Sequence, residues 1–199
     1  MSTTISLAVD ERLEWWRPLV HWLLCLPHLA WNAVLTGLSL PAYVVSIPVV
    51  LVTGRMPRSL ATFQVFVLRE RARTFAYLFV LRRSKPPYAT TMSAEDPGDD
   101  PMQTLSVALA TTTPRSAPIT RPFAVLPHLL VLLPIGACLD ALYPVWMLLV
   151  SVNRGWPPGM ARTLAAIERW VVEVLLYLLM ATNQRPAFGL AAQRAPLPA

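Results

Sequence analysis

Asp140 is the one acidic residue inside a long apolar run, residues 122–152. A carboxylate held in such surroundings has the chemistry of a proton carrier or a cation ligand. Two plainer roles compete with that one, a salt bridge to Arg69 or Arg169 and a place at a water-exposed bend. Four further charges sit in stretches of mixed composition, Arg69, Arg73, Arg169 and Glu173, and Arg73 and Glu173, one hundred residues apart and opposite in charge, are expected to bridge if the two halves of the chain pack symmetrically. Arg162, Arg169 and Glu173 are spaced by seven and four, which sets them on one stripe of a helix whose other faces are apolar. Arg69, Glu70 and Arg73 fall within about 100° of one another on the earlier helix, while Arg71 projects to the opposite side and argues for a headgroup interface.

Two histidines share a motif. His28 and His128 each lie in Leu-Pro-His-Leu, and a twofold arrangement of the two would make them candidate haem or metal ligands. No carboxylate or cysteine stands beside either as a supporting partner, and a histidine at a helix entry bonded to backbone or lipid phosphate is the better explanation of both. The signatures G-x-S-x-G, G-x-x-x-x-G-K-[ST], H-E-x-x-H, C-x-x-C and G-x-G-x-x-G do not occur. No catalytic residue, metal or cofactor is therefore assigned, and the chain is read as a non-enzyme.

The elements that must carry these residues are apolar helices. The 199 residues are 55% hydrophobic and 14% charged, whereas a soluble domain carries about a quarter charged residues. Residues 19–53 hold no Asp, Glu, Lys or Arg, and residues 122–152 hold one. Both runs exceed the roughly 20 residues that a membrane span needs. The amino-terminal head contains Asp10, Glu11 and Glu14, so it lacks the positive start of a secretory signal, and the first run is expected to be retained. Cys25 and Cys138 read as small buried hydrophobes. The net charge of +6 comes almost wholly from arginines flanking or interrupting the apolar runs, which points to anionic lipid headgroups as the partner and away from nucleic acid.

Shifting the chain by one hundred residues brings marked positions into coincidence. Leu26-Pro27-His28-Leu29 falls on Leu126-Pro127-His128-Leu129, Tyr43 on Tyr143, Pro57 on Pro157, Arg69 on Arg169, Tyr77 on Tyr177 and Pro86 on Pro186. Without a gap, 18–88 against 118–188 has fifteen identities in seventy-one positions. The expected organisation is an amino-terminal tail (1–14), a membrane helical repeat (15–88), a disordered linker rich in Ser, Thr, Pro and acids (89–121), a second repeat (122–188) and a carboxyl tail (189–199).

The recurring order of LPH, an apolar run, TGRMP, an Arg-bearing helix, AY and PPY resembles a bacterial membrane family known only as domain of unknown function 4389. The second copy departs from it, with NRGWP for TGRMP and RPAF for KPPY. The resemblance implies a small helical membrane module, doubled here, and brings no activity, substrate or cofactor with it.

The expected fold is thus an all-α integral membrane protein of about four membrane helices, two per repeat. With four spans, Arg12, Arg17, Arg82, Arg83, Lys85, Arg115, Arg121, Arg185 and Arg194 share one side and Arg55, Arg58 and Arg154 the other, which puts both termini in the bacterial cytoplasm. The competing arrangement lays the mixed helices on the surface and bends each long run into a re-entrant hairpin near Thr36 to Pro41 and Gly136 to Ala141. The functional expectation is a non-catalytic accessory or scaffold subunit of a larger membrane complex. A small transporter or channel with a polar path between the repeats and a membrane-shaping hairpin protein are its rivals.

Overall fold

The computed structural model describes residues 4–7, 14–89 and 91–190. The expectations for Arg12, for Arg194 and for most of the two tails lie outside these residues. Among those described, five helices dominate, joined by one two-stranded antiparallel ribbon, β1 (Thr4–Leu7) and β2 (Gln103–Ser106).

Helix α1 (Arg17–Thr53) follows the first apolar run without interruption. Pro18 sits in its first turn, where the missing N–H is no loss, and Pro27, Pro41 and Pro48 are carried inside the helix. Its 37 residues extend about 55 Å at about 1.5 Å per residue, so no hairpin forms near Thr36 to Pro41. The corresponding stretch of the second half is the same range shifted by one hundred, but it breaks at Leu142 into α3 (Ala117–Ala141) and α4 (Tyr143–Asn153). Pro144, which has no N–H to offer the carbonyl of Asp140, accounts for the break. Helix α2 (Arg58–Leu78) and α5 (Pro158–Leu178) also match at that offset. Each is followed two residues beyond its end by a left-handed residue, Val80 (φ 54°) or Met180 (φ 62°), and each is preceded by one at the end of the foregoing helix, Gly54 (φ 65°) or Arg154 (φ 54°).

α1 and α3 are each long and apolar enough to cross a membrane. Their inward contacts form narrow stripes: Cys25, His28, Leu35, Ser39, Ser46 and Val50 on α1, and Val125, His128 and Leu132 on α3. Most of the remaining circumference is exposed and apolar, including Leu23, Val34, Leu40, Phe123, Leu130 and Leu133. Cys25 is buried as expected, whereas Cys138 is exposed because it falls on the outward face of α3.

α2 and α5 make the interior. α2 runs back along α1, with Ser39 Oγ donating to Gln64 Oε1 (2.6 Å) and the His21 ring against Tyr77 (4.3 Å). Its second face packs on α5, where Val65, Leu68 and Ala72 meet Val172 and Leu176. The two units are antiparallel. Ser151 Oγ at the end of α4 donates to the carbonyl of Trp15 before α1, and Thr113 N–H before α3 donates to the carbonyl of Gly54 after α1 (2.9 Å). Trp156 Nε1 before α5 likewise donates to the carbonyl of Phe79 after α2 (2.6 Å).

The described residues of the segment 89–121, expected to be disordered, instead form a fitted cover, and the last five already belong to α3. It lies on the third face of α2 and follows that helix from end to end. Pro87 and Asp99 meet Arg73, then Ser93, Glu95 and Leu105 meet Arg69, and Thr113 reaches Gly54. Leu105 and Val107 are buried against α2 and α5. The composition misleads because the acids are spent on structure: Asp96 accepts from the amides of Gly98 and Leu105, and Asp100 from the amide of Met102 and from Arg82. The linker therefore does not start and finish at one end of the bundle, as four spans with a shared linker side would require.

Amide hydrogen exchange checks this order. The amides of Ala89, Leu105 and Thr113 are expected to be protected, and Asp96→Ala should speed exchange at Leu105 at least tenfold. Fast exchange across the whole segment in the unaltered protein would contradict the cover.

Candidate functional site: a charged cavity on the seam

Arg71 and Glu168 join the two units. Arg71 Nη1 lies 2.5 Å from Glu168 Oε1, linking the middle of α2 to the middle of α5. The pair borders a partly open cavity of about 210 Å³ lined by α1, α2, α3 and α5. Thr74 lies beside the pair, Asn32 comes from α1, and Asp140 from the end of α3. The rest of the lining is apolar, with Leu29, Phe75, Leu132, Ile167 and Val171 among it.

Polar satisfaction here is incomplete. Glu168 is 3% exposed, and its second oxygen, Oε2, has no hydrogen-bond partner among the described residues. Asn32 Oδ1 is also buried and unpartnered. Both free atoms are acceptors. Burial pushes the Glu168 carboxyl up to about 7, against the downward pull of Arg71.

Of the expected site residues, Asp140 lies at this cavity and Arg69 and Arg73 lie under the cover. Asp140 reaches the cavity wall, exposed, two residues before the break at Leu142. Arg69 and Arg73 are buried on the other side of α2. Arg69 Nη2 donates to the carbonyls of Ser93, Glu95 and Leu105 at 3.0–3.1 Å. Arg73 contacts Asp99 (2.5 Å), Glu70 (3.2 Å) and Asp100 (3.5 Å), so linker acids occupy the role expected of Glu173. Burial dominates at Glu70 and raises its carboxyl even though Arg73 and the Ala89 amide pull the other way. Arg169 and Glu173 occupy the half-buried stripe of α5.

The histidines pack within their own units. His28 stacks on Tyr88 (4.3 Å between centroids, 18° between planes). His128 Nδ1 accepts from Trp170 Nε1 (2.9 Å), and its ring lies 5.1 Å from Phe188. Each thus lies against the aromatic residue that ends its repeat. No group of three or more metal-ligating side chains occurs among the described residues.

Glu168 is the residue that sequence reasoning missed. Its aligned position in the first half is Leu68, so the repeat gave no reason to notice it. Arg71 carried the usable signal: a cation opposite the Arg69 and Arg73 face must meet something on another element, and that element is α5. The chain matches no family model, no curated protein and no solved structure.

Titration of the seam is measurable. The folded-state value of Glu168 lies above that of an unfolded carboxyl, so its contribution to stability is full below about 4.5 and is lost as pH rises through about 7. Glu168→Gln should therefore gain on the unaltered protein by about 3 kcal/mol between pH 4.5 and pH 8, read from unfolding in detergent. An unchanged difference across that range would show that Glu168 does not titrate with folding.

Proposed function

We propose that the chain is a tandem duplication of a membrane module of the kind called domain of unknown function 4389, acting as a non-catalytic accessory or scaffold subunit set flat into one leaflet of a bacterial inner membrane. The observation that carries this reading is the path of residues 89–116 along the whole length of α2. Were α2 to cross the bilayer, Glu95, Asp96, Asp99 and Asp100 would cross beside it, at a cost of several kcal/mol for each charge. Lying flat, the cover faces water and the exposed apolar sides of α1, α3 and α4 face acyl chains. The matched ends of the helices at an offset of one hundred, together with the shared packing of His28 on Tyr88 and His128 on Phe188, support the duplication.

The rim suits this seat. Arg55, Arg58, Arg83, Lys85, Arg115, Arg154 and Arg185 are exposed at the ends of the helices, at the level where anionic headgroups would lie. Trp15, Trp16 and Trp22 are exposed at the entry of α1, as interfacial anchors are. By the positive-inside rule the leaflet is the cytoplasmic one. A flat seat keeps the seam cavity on one side of the bilayer, which gives the transporter reading no continuous path.

One further reading has an observation in its favour. A slab with apolar bulk on one face only displaces lipid in a single leaflet, which favours membrane bending. Mild detergent extraction from native membranes should yield stoichiometric partner bands with the protein, and a lone monodisperse species would count against the subunit reading. Reconstitution at high density separates the second reading: tubulated vesicles support bending, and unchanged spherical vesicles exclude it.

A further inference from the structure

The seam cavity carries a charge imbalance. One cation, Arg71, faces two carboxylates, Glu168 and Asp140, on a largely apolar lining. Arg71 already spends Nη1 on Glu168 Oε1, which leaves Glu168 Oε2 buried, free and at the cavity wall. Asn32 Oδ1 adds a second buried acceptor. A buried acceptor left unpaired costs about 1–3 kcal/mol, more when it belongs to a charged group, so an occupant that donates hydrogen bonds is strongly favoured. An anion finds two carboxylates here, and an uncharged apolar molecule leaves both acceptors unpaired. A bare inorganic cation gains nothing from Leu29, Phe75, Leu132 and Val171, which form the apolar wall.

The geometry points to a binding site for an amphiphilic primary amine, its ammonium donating to Glu168 Oε2, Asn32 Oδ1 and Asp140 while its apolar body lies against Leu29, Phe75, Leu132 and Val171. The charge of the cavity is then balanced, with two cations against two carboxylates. The elevated Glu168 carboxyl fits this arrangement, because a proton holds the place that the ammonium takes. Two sources offer the chemistry, the headgroup of an aminophospholipid and a free alkylamine. The site is independent of how the helices sit in the bilayer, so its failure would leave the flat seat untouched.

The test is isothermal titration of the full chain in phosphatidylcholine nanodiscs with n-octylammonium as probe, phosphatidylcholine being chosen because its quaternary head has no N–H to donate. Saturable binding is expected, with octanol and octanoate at least tenfold weaker. Asp140→Asn, at an exposed position, and Glu168→Gln should each weaken octylammonium at least tenfold. Repeating the titration in discs containing phosphatidylethanolamine separates the sources: competition marks the lipid headgroup as occupant, and unchanged affinity marks a free amine. Absence of saturable binding would overturn the proposal, as would octanol or octanoate binding as well as the amine. Affinity unchanged in Asp140→Asn would remove the ammonium from this cavity.

Discussion

Two buried guanidinium groups set the terms for this protein. Arg69 and Arg73 project from one face of α2 and are almost wholly shielded from water, so their partners must come from inside the protein, and Arg69 meets them through Nη2 while its Nε and Nη1 have no hydrogen-bond partner among the described residues. Neither apolar layer helix offers a carboxylate at that face. Apart from Glu70 on α2 itself, which contacts Arg73, the acceptors come from the chain that follows: three carbonyls for Arg69, and Asp99 and Asp100 for Arg73. That requirement binds residues 89–107 to α2 and carries the chain back toward its first turn. From there α3 starts at the far end of α1, and the second unit is laid down antiparallel to the first.

Antiparallel placement in turn creates the seam. Arg71 and Glu168 meet because α2 and α5 pass each other in opposite directions, and the cavity beside them opens where α1 and α3 do not fill the angle between the inner helices. Polar surface is gathered on the cover and the rim, and apolar surface on α1, α3 and α4. That division is what the proposed seat in one leaflet rests on.

Much of the helical layout was legible in the sequence because it rests on local rules. The hundred-residue offset located α2 and α5 together. Pro144 marks the break in the long run of the second half, although Pro27, Pro41 and Pro48 inside α1 show that proline alone does not end a helix. The cover was not legible, since Ser, Thr, Pro and acid residues describe an unfolded segment until buried arginines give the acids partners. Glu168 and its pairing with Arg71 depended on the antiparallel crossing of two units, a relation between distant parts that no periodicity encodes. The same crossing sent Arg73 to linker acids instead of Glu173.

The flat seat is tested most directly by labelling the two ends of α2 from one side of a sealed membrane. Arg58 and Lys85 are exposed and lie near opposite ends of that helix, so single cysteines there, with Cys25 and Cys138 replaced by alanine, report its orientation. A membrane-impermeant maleimide applied to sealed vesicles of one orientation should label Arg58→Cys and Lys85→Cys from the same side. Labelling of the two positions from opposite sides would show that α2 crosses the bilayer and would contradict the account.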